Sequence, residues 1–521
     1  MISSFHGLEL AKRGLFAQQT SLTTTGHNIA NANTPGYSRQ RVNLVASNAF
    51  HSPSMNRVQI PGQLGTGVTF DSITRIRESF LDDQFRTQAQ AFGNWKIRAD
   101  SLSKIEDIFN EPSDVGFQSV IEEFWDAWQD LSVSPDIAGA VLKERALALI
   151  DTFKHVDTKL AELSQDLTTS INLKASEANT FITQIASLNQ EIRRIEGIGN
   201  NANDLRDQRD LIVDKLSQIA DINVTEDANG MYNVALTNGA VLVQGNAPTL
   251  FGDGVAVEQV SGGEIAGMIA SRDQIVNEYQ AQLDAMFKGL IYGEVSVRIP
   301  EGSVLPLDVE YGPADNRQTL TAGEPVPAGG IDVTVNGING LHQLGWTFDE
   351  DENGNAIPGG PFFIPADEEN FSIQNVQLNP DIMNNLDRIA VSWRAEQVDG
   401  VTKVIKGNNH LALAMAQLRD SQFSFTPTVG PAQTATFDQY FRSIMGALGV
   451  QAQEAERQMS NHLLIMDKVE NNRQSISGVS IDEEMANMIK FQHAYNASAR
   501  MMTTIDQSLD TIINRMGLVG R

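Results

Sequence analysis

The 521-residue chain contains no cysteine, which excludes disulfides, thiolate metal sites and cysteine nucleophiles. A chain that must cross an oxidising boundary unfolded loses nothing by this. No stretch approaches the roughly 18 apolar residues of a membrane span, and Glu9, Lys12 and Arg13 break the apolar pattern of Met1 to Phe16. We therefore expect neither a membrane span nor a Sec-type signal. Positive charge is scarce: 38 Lys and Arg face 65 Asp and Glu, a net of −27. Such a balance repels nucleic acid and anionic lipid, so neither is expected as a partner. Proline is missing between Pro135 and Pro248 and again after Pro431, whereas eleven of the seventeen lie from Pro300 to Pro431. Long helices are expected in the proline-free stretches.

Signals of catalysis are absent too. None of the eight His belongs to an H-E-x-x-H pair, there is no G-x-S-x-G elbow or phosphate loop, and Gly62, Gly65 and Gly67 have the wrong spacing for a dinucleotide fingerprint. Glu122-Glu123 and Glu483-Glu484 are adjacent in helical sequence and diverge rather than converge on a bond. Asp349-Glu350-Asp351-Glu352-Asn353-Gly354 opens like a calcium loop, but Pro358 and Gly360 stand at its tenth and twelfth positions, where a bidentate Glu is required at the twelfth. A solvated acidic turn is the better reading. No enzymatic function, cofactor or metal is expected.

What is present has a clear layout. At about 150 residues per domain, the length suggests three or four folding units. The charge is uneven: residues 1–70 carry +4, residues 471–521 carry zero, and the middle carries −31. Near-neutral ends beside a self-repelling middle suggest termini that pack while the middle faces solvent. Val156, Leu160, Leu163 and Leu167, then Phe181, Ile185, Leu188, Ile192 and Ile195, recur at three and four and predict two long helical segments. Short β-like runs with Asn229-Gly230 and Asn238-Gly239 turns predict a small meander at about 221–262. Helical periodicity returns at Glu264 to Leu290, and residues 291–406, rich in Gly, Pro, Val and Ile, read as an inserted β domain. The expected class is α+β multidomain: a terminal coiled-coil segment, 1–45 with 480–521; a helical shell, 46–290 completed by 407–479; and the outer β insertion.

Leu8, Leu15, Leu22 and Ile29 recur at seven, with Phe5 and Ala11 beside them, as a coiled-coil seam. Ile481, Met485, Met488, Tyr495, Ala499, Met502, Leu509, Ile513 and Met516 fit one register at the other end. These residues are the expected assembly contacts. An ordinary antiparallel helix pair within one subunit would produce the same periodicity.

The string His27-Asn28-Ile29-Ala30-Asn31-Ala32-Asn33-Thr34-Pro35-Gly36-Tyr37-Ser38-Arg39-Gln40 resembles the N-terminal signature of the bacterial flagellar rod, hook and hook-associated proteins. Ser480 to Met488, continuing to Tyr495 and Leu509, resembles the matching C-terminal helix. Asn203-Asp204-Leu205-Arg206-Asp207-Gln208-Arg209-Asp210 is similar to a segment of the hook-associated members; read alone, it is a helix with charge pairs such as Arg206 with Asp210. About 45 β-like residues between Leu290 and Asn336 depart from the family pattern.

The resemblance implies a structural adaptor at the junction of hook and filament, extracellular and exported unfolded by the flagellar type III apparatus. It also implies self-assembly into a ring, contact with hook protein and hook-associated protein 3, and an export chaperone for the C-terminal helix. Asn28, Ile29, Asn31, Thr34, Pro35, Gly36 and Tyr37 would belong to the assembly signature. An adhesin carried by residues 291–406, or another axial protein such as the hook or the second junction protein, are the alternatives.

Overall fold

A computed structural model describes residues 5–49, 65–110, 116–313, 316–366, 371–405 and 407–515. Met516 of the expected C-terminal register lies outside them. The fold is α+β, with long helices at the C-terminal end and a β-rich insertion. Its residues group into two compact units, 1–96 with 171–267 and 457–521, and 97–170 with 268–456. The borders fall inside helices.

In the first unit, α1 (His6–Ala30) is followed by a hairpin of β1 (Gln40–Ala46) and β2 (Val68–Arg75), paired antiparallel with a bulge at Asn43/Leu44. Helix α2 (Ser79–Asn110) begins here, and α3 (Phe117–Val133) belongs to the second unit. Helix α4 (Pro135–Glu196) is one uninterrupted helix of 62 residues, where two segments were expected. The reason is visible along its buried face: Leu160, Leu163, Leu167, Ile171, Ala175, Ala178, Ile182 and Ile185 continue the three-four alternation without a break. Alanines carry the stripe through a stretch whose hydrophobicity falls but whose helix propensity does not. Proline stands at its first position, where a missing N–H costs nothing.

Helix α5 (Asn203–Ile219) then leads into a four-stranded antiparallel meander, β3 (Ile222–Glu226), β4 (Tyr232–Leu236), β5 (Val241–Gln244) and β6 (Ala247–Pro248), as the Asn-Gly turns predict. Asn189, fully buried in the α4 stripe, holds this sheet: its amide donates to the Tyr232 and Gly245 carbonyls at 2.8 and 2.6 Å, and its oxygen accepts from Tyr232 N–H.

The second unit has an aromatic core. Phe117 of α3 meets Phe153 edge-on and stacks on Phe441, while Trp128 packs against Phe362 and His342. Its helices include α6 (Gly263–Ala270), shared with the first unit, then α7 (Asn277–Tyr292) after a π-helical turn at Ser271–Val276, α8 (Gly337–Gln343), α9 (Pro380–Asn384) and α10 (His410–Gln417). Strand Glu294–Ile299 pairs antiparallel with Ile331–Asn336 to open the β insertion. In the acidic turn, Asp351 accepts from the N–H groups of Asn353 and Asn355, and Asp349 bonds Arg388, so the chain itself uses both carboxylates. Helix α11 (Phe437–Ser477) and helix α12 (Ile481–Asp510) end the chain, the latter capped by Ser480 and extended by a π-helical turn, Thr511–Arg515.

Candidate assembly site

Helices α1 and α12 pack together within one chain, antiparallel. A Cβ on Gly7 would come within 3.0 Å of Ile505, and one on Gly14 within 3.1 Å of Ser498 Oγ. Seven residues further on, Ser21 and Phe491 line one cleft; after seven more, the Asn28 amide donates to Glu484 at 3.0 Å. Each step of seven along α1 is therefore answered by a step of seven back along α12. The α1 side of this ladder is Gly, Gly, Ser and Asn. Leu8, Leu15, Leu22 and Ile29 lie one position on, about 100° around the helix, and are only half-buried. On α12, Met488, Tyr495, Met502 and Leu509 are half-buried, together with Phe491 and Ile505, which were not among the expected residues. Ile481, Met485 and Ile513 point elsewhere and are 47, 50 and 70% exposed; Ala499 is half-buried.

The signature loop locks this pair. Asn28, only 1% exposed, makes all four of its side-chain hydrogen bonds. Its oxygen accepts from Tyr37 Oη and Gln40 N–H at 2.8 and 3.0 Å; its amide donates to the Gln40 carbonyl and to Glu484 Oε2. Glu484 is buried, and its other oxygen accepts from Arg39 at 2.8 Å, while a second Arg39 nitrogen donates to Glu483. The Arg39 N–H donates to the Ser477 carbonyl. N- and C-terminal signatures are thus two halves of one polar clamp.

The turn itself follows from local chemistry. Asn31 closes the end of α1 by donating both its backbone N–H and its side-chain amide to the His27 carbonyl, and Thr34 donates to Asn31. Gly36 has φ +78, and a Cβ there would sit 3.1 Å from Leu211 of α5, so glycine is required twice over. Pro35 is exposed.

Beneath the clamp lies the α5 segment singled out in the sequence, and it does more than pair with itself. Asp204 accepts from Gln40 at 2.7 Å and lies 3.3 Å from His27; Asp207 accepts from the Ser38 N–H and from Arg75. Asp210 accepts from Arg75 and from Tyr232 Oη, and Asp214 from Arg86 and Arg473. Burial alone would raise Asp210, yet the guanidiniums of Arg77, Arg75 and Arg86 hold its carboxyl down at about 2. Tyr37 is pushed up, first by burial and then by the Asp204 charge. Arg206 bonds Glu196 and Glu226 instead of the expected Asp210, because its side chain leaves α5 toward the end of α4 and the edge of the meander. Arg209 is fully buried, with its guanidinium 3.5 Å from the Tyr232 ring centre.

Around this clamp, apolar side chains stay open to solvent: Phe5 and Phe16 on α1, and Ile481, Met485, Ile489 and Met501 on α12. The arrangement presents a registered helix pair with apolar residues outside its own seam.

Comparison with known proteins gives a consistent result. Residues 102–253 match the flagellar hook-associated protein FlgK helical domain, residues 8–37 the flagella basal body rod protein, and residues 471–516 the C-terminal part of the flagellar basal body rod FlgEFG proteins. Flagellar hook-associated protein 1 of Bacillus subtilis is 33% identical over 536 residues, with 100% of both chains covered. Its counterpart in Escherichia coli is 25% identical over 560 residues, covering 97% of this chain and 98% of the other. The solved structure of the flagellar hook junction protein FlgK from Burkholderia pseudomallei covers 76% of this chain and all of that one, at 15% identity and a TM-score of 0.48.

Proposed function

Because the chain belongs to the family of flagellar hook-associated protein 1, a structural component of the bacterial flagellum, we propose that it is the adaptor that joins hook to filament and is required for the filament to assemble. One observation carries this reading: the two terminal helices are locked in register by buried polar groups, yet keep apolar residues facing outward. A helix pair that satisfied itself would hide those residues; a pair built to meet other copies leaves them out.

In this reading the paired termini of many copies form a ring on the distal hook, with hook protein below and hook-associated protein 3 above. The excess of acid in the middle of the chain keeps its solvent-facing parts apart while the near-neutral ends pack. The chain leaves the cell unfolded through the flagellar export apparatus, and a chaperone that covers the C-terminal helix meanwhile would mask Met485 and Ile489.

The test is deletion of the gene in the source organism. Bare hooks under the electron microscope, with unpolymerised filament protein in the medium, are expected. Normal filaments would reject the role and return attention to the β insertion as a binding surface.

A further inference from the structure

The buried ion network under the clamp is assembled from three distant pieces of chain. Arg75, Arg77, Asp82 and Arg86 come from the end of β2, the link after it and the start of α2, Asp207, Asp210 and Asp214 from α5, and Arg473 from the end of α11. All eight side chains are at most 13% exposed. Four carboxylates face four guanidiniums, so the balance closes, but only with Arg473 in place. Without it, three arginines would serve four buried aspartates. Arg209 feels the Asp210 charge but makes no ion pair with any of the four carboxylates; its bonds go to Asn189 and the Gly230 carbonyl and its face to Tyr232.

Arg473 is placed to do this. Its guanidinium reaches Asp214 at 2.9 Å and Asp82 at 3.3 Å, lies over the Phe85 ring, and is 3.5 Å from Glu470 one turn back. Arg77 lies across Asp82 and Arg86 across Asp214; Lys215 and Asp467 line the adjoining cleft. Eleven residues later Glu484 does the mirror-image work: it brings a buried anion to Arg39 and Asn28. One short C-terminal stretch therefore delivers a cation to an acid-rich site and an anion to a basic one.

We propose that Arg473 is the closing charge of this network, so that docking of residues 473–484 and consolidation of the charged core beneath them form a single cooperative step. The earlier parts of the chain hold a set of buried charges that remains one cation short until the last helices arrive. A partly docked chain is then disfavoured, because it leaves charge buried and uncompensated. The inference concerns how the unit closes and does not depend on where in the flagellum the chain sits.

The experiment uses the full chain carrying Arg473→Met, Arg473→Lys, or Arg473→Met with Asp214→Asn, and follows protease cleavage within α12 from pH 8 to pH 5. Wild type at each pH is the reference. In Arg473→Met, cleavage should rise on the order of a hundredfold at pH 8, the scale of a broken buried pair. The increase should shrink toward pH 5: a carboxylate left short of a partner has a raised folded pKa, so the variant gains relative stability as it takes up a proton. Adding Asp214→Asn should restore most of the protection at pH 8, and Arg473→Lys should stay within about tenfold of wild type because it keeps the charge. If Arg473→Met does not fold at pH 8, recovery of folded chain at pH 5 or with Asp214→Asn reads the same prediction. A loss equal at both pH values, no rescue by Asp214→Asn, or an α12 as protected as wild type would overturn the proposal and leave Arg473 as a packing residue on Phe85.

Discussion

The aromatic core of the second unit and the terminal helix pair of the first are held together by different means. The core closes around Phe117, Trp128, Phe153, Phe362 and Phe441, where ring packing dominates and His342 is the polar member. The helix pair closes on Gly7, Gly14, Ser21 and Asn28, a row of close approaches that ends in a cluster of directed bonds at Asn28. Area gives stability without direction; hydrogen bonds to Asn28 and Glu484 give direction at modest net stability. An element that must present its remaining apolar residues at fixed positions gains from the second arrangement.

Mutations can break this contrast in graded steps. Phe117→Ala, with its ring removed from between Phe153 and Phe441, should cost about 3–5 kcal/mol and lower the melting of the second unit while leaving α12 cleavage unchanged. Acid should also strike the second unit first, through His342. Its Nδ1 donates to the Gly360 carbonyl and its Nε2 accepts from Ala390 N–H; burial lowers it to about 4 from 6.5, with the Gly360 bond opposing. The unfolded chain therefore takes up the proton first. Stability is unaffected above pH 6.5 and falls as pH drops from 6.5 toward 4, by roughly 3 kcal/mol in all. His342→Gln should flatten that part of a melting-versus-pH curve, and an unchanged slope would remove His342 as the cause.

In the first unit the effects are smaller and more local. Asn28→Ala leaves a backbone N–H, a carbonyl, Tyr37 and Glu484 each short of a partner and should cost about 2–3 kcal/mol. Amide exchange should then rise in α1 and α12 together, which tests whether the clamp is shared. Gly36→Ala should cost about 1–2 kcal/mol, from its positive φ and the contact with Leu211. At the small end, Ile489→Ser, on a residue 56% exposed, should change monomer melting by less than about 0.5 kcal/mol yet reduce assembly into filament-bearing hooks. Unimpaired assembly would show that this face meets nothing.

Much of the fold was legible in the sequence. The meander turns and the stripe of α4 follow from residue order alone, since turn chemistry and periodicity are local. The residues through which α1 meets α12 within one chain were not legible, because Leu8, Leu15, Leu22 and Ile29 are conspicuous, whereas Gly7, Gly14, Ser21 and Asn28 form a heptad series with almost no hydrophobic signal. Glu484 looked like one of three surface acids; nothing in its neighbours announces burial. The partners of Asp207, Asp210 and Asp214 lie up to about 260 residues away in sequence, beyond what spacing along one helix can reveal. The α5 segment was noticed as a motif, but its charges were paired locally, and Arg206 shows the error.

The ladder between α1 and α12 repeats every seven residues, and any repeating rail can be engaged one tooth off. Slid by a heptad, Ile505 would face Gly14 and Ser498 would face Ser21, substitutions that cost little. Asn28 would then face Phe491, and Glu484 would leave both Asn28 and Arg39. The hydrogen-bonded rung at the end therefore acts as an index pin: it permits only one of the equivalent settings. Every copy that closes its clamp is cut to the same length, which an assembly built by stacking identical parts needs if errors are not to accumulate along it.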